Sequence, residues 1–307
     1  MDCMTVVGWE HNAFATLRRH QKIMKTWVAI PLLLIAHAAG GVESATGTVR
    51  VAAIQCPSVM GKTQDNVRNL TNLVRQAAAR GARIVVLPEC AVQGYLDPTD
   101  WTAWSLSDSA AMAVSKVAEP VPGPSTTLFA RLAGELNIYL CVGLIEAASN
   151  GFFNAQVLLS PTGTIVAHHR KQALWTPGDS TWCTPGDLPV QVVKTEFGNL
   201  GLMICFDFHA LPPLLAKKGA DIVLYSVGWY GPNEADWFGR VFPAKAVIPY
   251  GFHVIAANWS SRSPDRVWPG RGYSCIIKAD GAILGMAITV VGNEIVMGDI
   301  PIGRHHY

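Results

Sequence analysis

From Thr48 onward the chain alternates short apolar runs with stretches of helical period, and this alternation restricts it to the α/β class. Residues 49–54 read as a strand. Residues 64–80 follow, with Val67, Leu70, Leu73, Val74 and Ala77 at helical spacing and Gly81 as the stop. Residues 84–87 form a wholly apolar strand ending at Pro88. Ser125 is placed to cap a second helix through residue 136, and 138–145 is a further strand. Residues 153–159 and 165–169 flank Pro161-Thr162-Gly163 and read as a hairpin. Two buried strands, 200–206 and 222–226, are separated by a helix ending at Gly219. A helix over about 235–247, a strand at 254–258 and a hairpin over 274–286 turning at Asp280-Gly281 complete the pattern. No low-complexity linker divides it and no short repeat is visible. Mixed sheets covered by helices, with two β layers stacked, are expected in one domain.

Composition narrows the function classes. Half of the 307 residues are apolar and 15% are charged, which rules out a disordered chain. Lysine plus arginine number 24 against 22 acidic residues, a formal +2 with no basic block, so no nucleic-acid partner is expected. No apolar run reaches the roughly 18 residues of a membrane span.

Residues 1–47 differ from the rest. Arg18, Arg19, Lys22 and Lys25 precede a ten-residue apolar run from Trp27 to Ala36, and the small residues Ala38, Ala39, Gly40, Gly41, Ser44 and Ala45 follow. That order is the pattern of a cleaved signal peptide, and Met24 would be a natural start for it. The expectation is a leader over 1–47, a folded domain over 48–298, a tail over 299–307, and a secreted or periplasmic product. A mis-called upstream start would instead leave the protein cytoplasmic.

The seven cysteines, Cys3, Cys56, Cys90, Cys141, Cys183, Cys205 and Cys275, are odd in number and widely spaced, unlike a disulfide framework. No pair has the tight spacing of zinc ligands, so no metal site is expected. Cys56, Cys141 and Cys275 lie in or beside apolar runs and read as small buried hydrophobes.

Three strands end in reactive residues: Glu89 after the apolar 84–88, Lys171 after the polar end of 165–170, and Cys205 after the apolar 200–204. A charge buried alone at a strand end costs several kcal/mol, roughly, so mutual pairing is the simplest escape. Sheet ends are also where α/β proteins bind ligands. Taken singly, each residue is ordinarily structural: a core thiol, a surface lysine, a salt-bridged glutamate. Taken together, a carboxylate can deprotonate a thiol while an ammonium favours the thiolate and an oxyanion.

Four stretches carry a likeness: Val51-Ala-Ala-Ile-Gln-Cys-Pro57; Ile84-Val-Val-Leu-Pro-Glu89 with Gly94-Tyr95; residues 163–171 ending His169-Arg170-Lys171; and Gly201-Leu-Met-Ile-Cys-Phe-Asp207. Gly219-Ala-Asp-Ile222, Ile255-Ala-Ala-Asn258 and Gly272-Tyr-Ser274 add to it. In these motifs the chain resembles the nitrilase, or carbon–nitrogen hydrolase, superfamily over about residues 48–290. The resemblance implies a four-layer α-β-β-α sandwich that pairs as a homodimer or a higher homo-oligomer. It implies Glu89 as general base and acid, Lys171 as electrostatic stabiliser, Cys205 as nucleophile and the Phe206 amide as an oxyanion donor.

The chain also departs from that pattern. Asp179 stands where a second glutamate is usual, and one methylene less predicts a looser or water-mediated contact with Lys171 or the thiol. Pro212-Pro213 fills the region where a further acidic residue often follows the cysteine. Lys245-Ala-Val-Ile-Pro249 replaces the usual Arg-Ala-x-Glu-Asn. Tyr95, Trp229 and Tyr230 are candidate pocket walls, and Trp101, Trp104, Trp175 and Trp182 gather in loops on the same side. Within the resemblance Cys205-Phe206-Asp207 is amidase-like and favours amide over nitrile, and hydrolysis of a small linear amide or N-carbamoyl compound is the leading expectation. Nitrile hydrolysis, acyl transfer to an amine and a decayed binding scaffold are the alternatives.

Overall fold

The computed structural model describes residues 47–95, 103–176, 178–229, 236–264 and 272–302. The leader lies outside the described residues except for Gly47, which opens the first strand. Elements run in the order β1 (Gly47–Gln55), α1 (Thr63–Ala79), β2 (Ile84–Val86), α2 (Pro124–Leu136), β3 (Tyr139–Ala148), β4 (Gly151–Leu159), β5 (Ile165–Arg170) and β6 (Val192–Thr195). They continue with β7 (Gly198–Ile204), α3 (Pro212–Lys217), β8 (Ile222–Ser226), β9 (His253–Ala257), β10 (Cys275–Ile277), β11 (Ile283–Met286) and β12 (Glu294–Ile302).

Two six-stranded mixed sheets form, in the orders β12-β1-β2-β3-β4-β5 and β11-β10-β9-β8-β7-β6. In each, a parallel trio (β1, β2, β3 and β7, β8, β9) is flanked by antiparallel strands. The parallel strands read as unbroken apolar runs because both their faces are covered: β2 and β8 are buried at every residue.

Three apolar layers hold the sandwich together. Leu70, Leu73, Val74 and Ala77 of α1 and Phe129 and Leu132 of α2 pack on alternate residues of the first sheet, Ala52, Ile54 and Val85 among them. The other faces of the two sheets meet through Val51, Ile84, Val86, Leu200, Leu202, Leu224 and Ile255. Leu215 of α3, with Phe238, Phe242 and Val247, covers the outer face of the second sheet. Each fully buried aliphatic or aromatic side chain stabilises by about 1.5–3 kcal/mol, so the layer order follows from the period-2 and period-3.6 patterns. This is the expected α-β-β-α arrangement.

Local details differ from the sequence reading. Helix α2 starts at Pro124 with Gly123 as its cap: the Gly123 N–H donates to Thr126 Oγ1 at 2.7 Å. Ser125, the predicted cap, instead donates through its N–H and hydroxyl to the Glu119 carboxylate. The helix expected over 235–247 is a pair of π-helical turns, Trp237–Val241 and Pro243–Val247. Pro243 has no amide proton, which interrupts an α-helical ladder at that point. Residues 299–302, assigned to the tail, continue β12 against β1, with Ile300 opposite Val49 and buried.

Candidate active site

Glu89, Lys171 and Cys205 line one small cavity of about 60 Å³. Each sits just past the carboxyl end of its strand: Glu89 after β2, Lys171 directly after β5 and Cys205 directly after β7. All three are buried. The sheets are tied together beside them. Gln156 Nε2 of β4 donates to Ser226 Oγ of β8 at 2.8 Å, and that hydroxyl donates to the Leu87 carbonyl at 2.7 Å.

The turn that carries Glu89 is fixed from two sides. The Trp259 indole N–H donates to the Glu89 carbonyl at 2.7 Å. Gly143 of β3 lies so close that a Cβ there would overlap the Pro88 carbonyl oxygen. Cys205 opens a 3₁₀ turn (Cys205–His209) with φ of +38°, a left-handed conformation that strains a non-glycine residue. Asp207 holds that turn to the segment after β5. Its Oδ2 accepts from the Ile204 N–H at 3.2 Å and lies 2.7 Å from His169 Nε2, while Oδ1 accepts from the Gln172 and Ala173 amides at 2.9 and 2.8 Å. The Tyr225 hydroxyl donates to the Cys205 carbonyl at 2.8 Å. The Cys205 turn and the end of β5 are therefore tied together.

The Lys171 ammonium donates to Glu89 Oε1 at 2.7 Å and to Asp179 Oδ2 at 2.6 Å. The looser contact expected between Asp179 and Lys171 does not occur. A short 3₁₀ turn (Asp179–Thr181) carries this residue into the buried site, where the shorter side chain reaches the ammonium directly. Both carboxylate oxygens of Asp179 are occupied: Oδ2 also accepts from the Trp175 N–H at 2.8 Å, and Oδ1 accepts from the Tyr95 hydroxyl at 2.8 Å and Asn154 Nδ2 at 3.1 Å. Glu89 differs. Its Oε1 accepts from Lys171 and from Asn154 Nδ2 at 2.7 Å, but its Oε2 is buried with no hydrogen-bond partner.

The electrostatics follow from this geometry. Burial pushes the Cys205 thiol well above its ordinary value and the Glu89 charge adds to the effect, while the Lys171 ammonium and the Gly228 N–H oppose it. A thiol shifted in this direction would act as a nucleophile only with a base to take its proton. Burial also raises the Glu89 carboxyl, against the pull of Lys171. Burial alone would lower Lys171, but Asp179 and Glu89 more than offset it and keep the ammonium charged.

The walls are aromatic: Tyr95, Trp175, Phe206 and Trp229 line the cavity, with Gly228 beside them. Gly94 has φ of +77°, and a Cβ there would stand 2.6 Å from the Met60 backbone, so only glycine lets the chain turn Tyr95 inward. Trp229 stacks on Trp237 with centroids 4.2 Å apart. Trp104 and Trp182 are buried around Tyr95, Trp182 meeting its ring edge-on at 5.9 Å. Tyr230 and Trp101 lie outside the described residues. Cys56, Cys141 and Cys275 are buried, as their apolar neighbours predicted. Among the described residues there is no cluster of His, Cys, Asp and Glu able to hold a metal ion, and no helix is long and apolar enough to cross a membrane.

Sequence reasoning passed over Asn154 and the Gly228 amide. Asn154 lies in β4, and an asparagine inside a buried apolar strand was itself the available signal, because such a group must find a partner.

A family model described as carbon-nitrogen hydrolase matches residues 50–305. Omega-amidase NIT2-B of Xenopus laevis is 33% identical over 245 residues, covering 75% of this chain and 83% of the relative. A nitrilase of Pyrococcus abyssi is 28% identical over 234 residues, covering 75% and 80%. Among solved structures, an amidase from Nesterenkonia sp. aligns with a TM-score of 0.68 at 21% identity over 85% of this chain and 93% of its own, a likeness of fold. A mutant of that amidase shows covalent addition of the acetamide moiety of fluoroacetamide at its active site cysteine.

Proposed function

Because the chain belongs to the carbon–nitrogen hydrolase family, matched over residues 50–305, we propose that it hydrolyses a non-peptide C–N bond in a small linear amide or N-carbamoyl compound through a thioester on Cys205. The observation that carries this reading is the unequal pair of carboxylates on Lys171, which lines one cavity with Glu89 and Cys205. Asp179 is saturated by donors and serves to hold Lys171, whereas Glu89 keeps one oxygen open.

In the proposed reaction Glu89 Oε2 takes the Cys205 proton as sulfur attacks the carbonyl carbon. The oxyanion is stabilised by the Lys171 ammonium and the Phe206 amide; one such preorganised donor is worth about 3–4 kcal/mol. Collapse breaks the C–N bond, and Glu89 returns its proton to the departing amine or ammonia. Water, deprotonated by Glu89, then attacks the thioester and releases the acid and the free thiol. Each proton taken is returned, so the cycle closes without a cofactor.

Omega-amidase and amidase relatives support amide over nitrile, and the nitrilase relatives keep nitrile hydrolysis as the second reading. A panel of amides, N-carbamoyl compounds and nitriles followed by ammonia release separates them. Turnover of nitriles with no turnover of the matching amides would reverse the order. Turnover that requires an added amine acceptor would indicate acyl transfer.

Export and self-association extend the proposal. The basic-apolar-small order of residues 1–47 motivates a cleaved leader, and amino-terminal sequencing of secreted material beginning near residues 40–48 is the expected result; an intact leader on cytoplasmic material would contradict it. Family resemblance motivates a homodimer, which light scattering of the purified protein would resolve from a monomer.

A further inference from the structure

The structure holds two carboxylates, Glu89 and Asp179, in one buried pocket with a single ammonium between them. Like charges so placed push each other toward protonation, so a second donor joining them has a large effect. That donor is Asn154. Its Nδ2 bonds Glu89 Oε1 at 2.7 Å and Asp179 Oδ1 at 3.1 Å. The orientation of an asparagine amide is inferred from its partners, and here every partner agrees. On the opposite side the Cys90 thiol donates to Asn154 Oδ1 across 3.3 Å, so the NH₂ group must face the carboxylates. The Asn154 main-chain carbonyl also accepts the Lys171 N–H at 2.8 Å. One residue therefore bonds both carboxylates through its side chain and the Lys171 main chain through its carbonyl.

The consequence concerns which oxygen of Glu89 is reactive. With Oε1 held by both Lys171 and Asn154, the carboxylate cannot rotate, and Oε2 alone keeps open lone pairs. We infer that Asn154 is a positioning residue for the proposed reaction: its side-chain amide clamps Oε1 of Glu89 to Asp179 and thereby presents Oε2 as the oxygen that exchanges protons with Cys205. This rests on the reading of Glu89 as base and Cys205 as nucleophile given above.

Asn154→Leu, close in volume but without the donor, tests the inference. The expected result is a loss in kcat of about 30- to 100-fold with KM changed less than about threefold, since the clamp acts on proton transfer and not on substrate binding. The acid limb of kcat/KM should also move to higher pH by about half to one unit, because the lost hydrogen bond favoured the ionised carboxylate. Alkylation of Cys205 by iodoacetamide from pH 5 to 9, read by peptide mass mapping, should shift in the same direction. That second readout needs no turnover. If the wild-type protein cleaved no amide, the functional reading would fall while the alkylation profile still decided the role of Asn154.

Should Asn154→Leu fail to fold, Cys90→Ala and Cys90→Ser decide instead. Removing the thiol frees the amide to turn, so Cys90→Ala should shift the alkylation limb upward and Cys90→Ser should recover part of that shift. An Asn154→Leu protein with wild-type pH profiles in both assays, its defect confined to KM or to yield, would overturn the inference. So would Cys90→Ala and Cys90→Ser profiles superposable on the wild type.

Discussion

Replacing Asp179 by asparagine keeps the shape of the side chain and removes only its charge and one acceptor. Four donors converge on the two oxygens: Lys171 Nζ and the Trp175 N–H on Oδ2, Tyr95 and Asn154 on Oδ1. An amide has one acceptor oxygen. If it faces Lys171 and Trp175, its NH₂ meets the Tyr95 hydroxyl, which can turn to accept, and the Asn154 NH₂, which cannot. The lysine meanwhile trades a carboxylate partner for a neutral one in a buried site. Charged hydrogen bonds are worth about 1.5–3 kcal/mol each, and removing one partner of a buried pair costs about 3–5 kcal/mol. Because Glu89 still holds the ammonium, the lower end of that range applies, about 3 kcal/mol of stability. In a domain of this size each kcal/mol lowers Tm by about 2–4 °C, so a fall of roughly 6–12 °C is expected. If about 2–3 kcal/mol of the loss is expressed in the transition state, kcat falls about 30- to 150-fold. Thermal melts by circular dichroism and steady-state ammonia release measure the two effects. An Asp179→Asn protein that melted within about 2 °C of the wild type and kept kcat within about threefold would refute the claim that Asp179 anchors the lysine.

Asp179→Glu adds a methylene to a fully buried position, so it should fold with a loss of about 1–3 kcal/mol by overpacking, detectable in the same melt. Lys171→Ala leaves the two carboxylates without their ammonium and should lower kcat at least several hundredfold, measured by the same ammonia assay. The acid limb of kcat/KM should lie above the ordinary carboxylate range. Burial raises Glu89, so its ionised, basic form is depleted as pH falls through that raised value; a limb near the value of a free glutamate would contradict this. Gly228→Ala places a Cβ into the Trp259 indole, which donates to the Glu89 carbonyl, and should reduce kcat about tenfold or more while also lowering Tm.

The chemistry was legible in the sequence where it stood at strand ends. Glu89 and Cys205 each follow an apolar run and Lys171 follows the polar end of a strand, and the desolvation cost of isolated charges favours their meeting. The four-layer sandwich was legible for a similar reason, since unbroken apolar runs such as 84–87 and 222–226 require cover on both faces. Asn154 was not singled out because alternation along a hairpin says which face a residue takes but not what lies across from it. The direct reach of Asp179 was hidden as well: side-chain length suggested a gap, while the 3₁₀ turn that closes it is a tertiary feature with no period. The π-helical turns around Pro243 and the glycine cap of α2 likewise depend on local hydrogen bonding, which a hydrophobic pattern does not encode.

The covalent step is open to direct observation. Rapid mixing with a cleaved amide, acid quenching within the first turnover and peptide mass mapping should reveal the acyl group on Cys205 and on none of the other cysteines, with Cys205→Ala devoid of both adduct and turnover. Ammonia release that persisted in Cys205→Ala, or an acyl group found at a different residue, would contradict the thioester route.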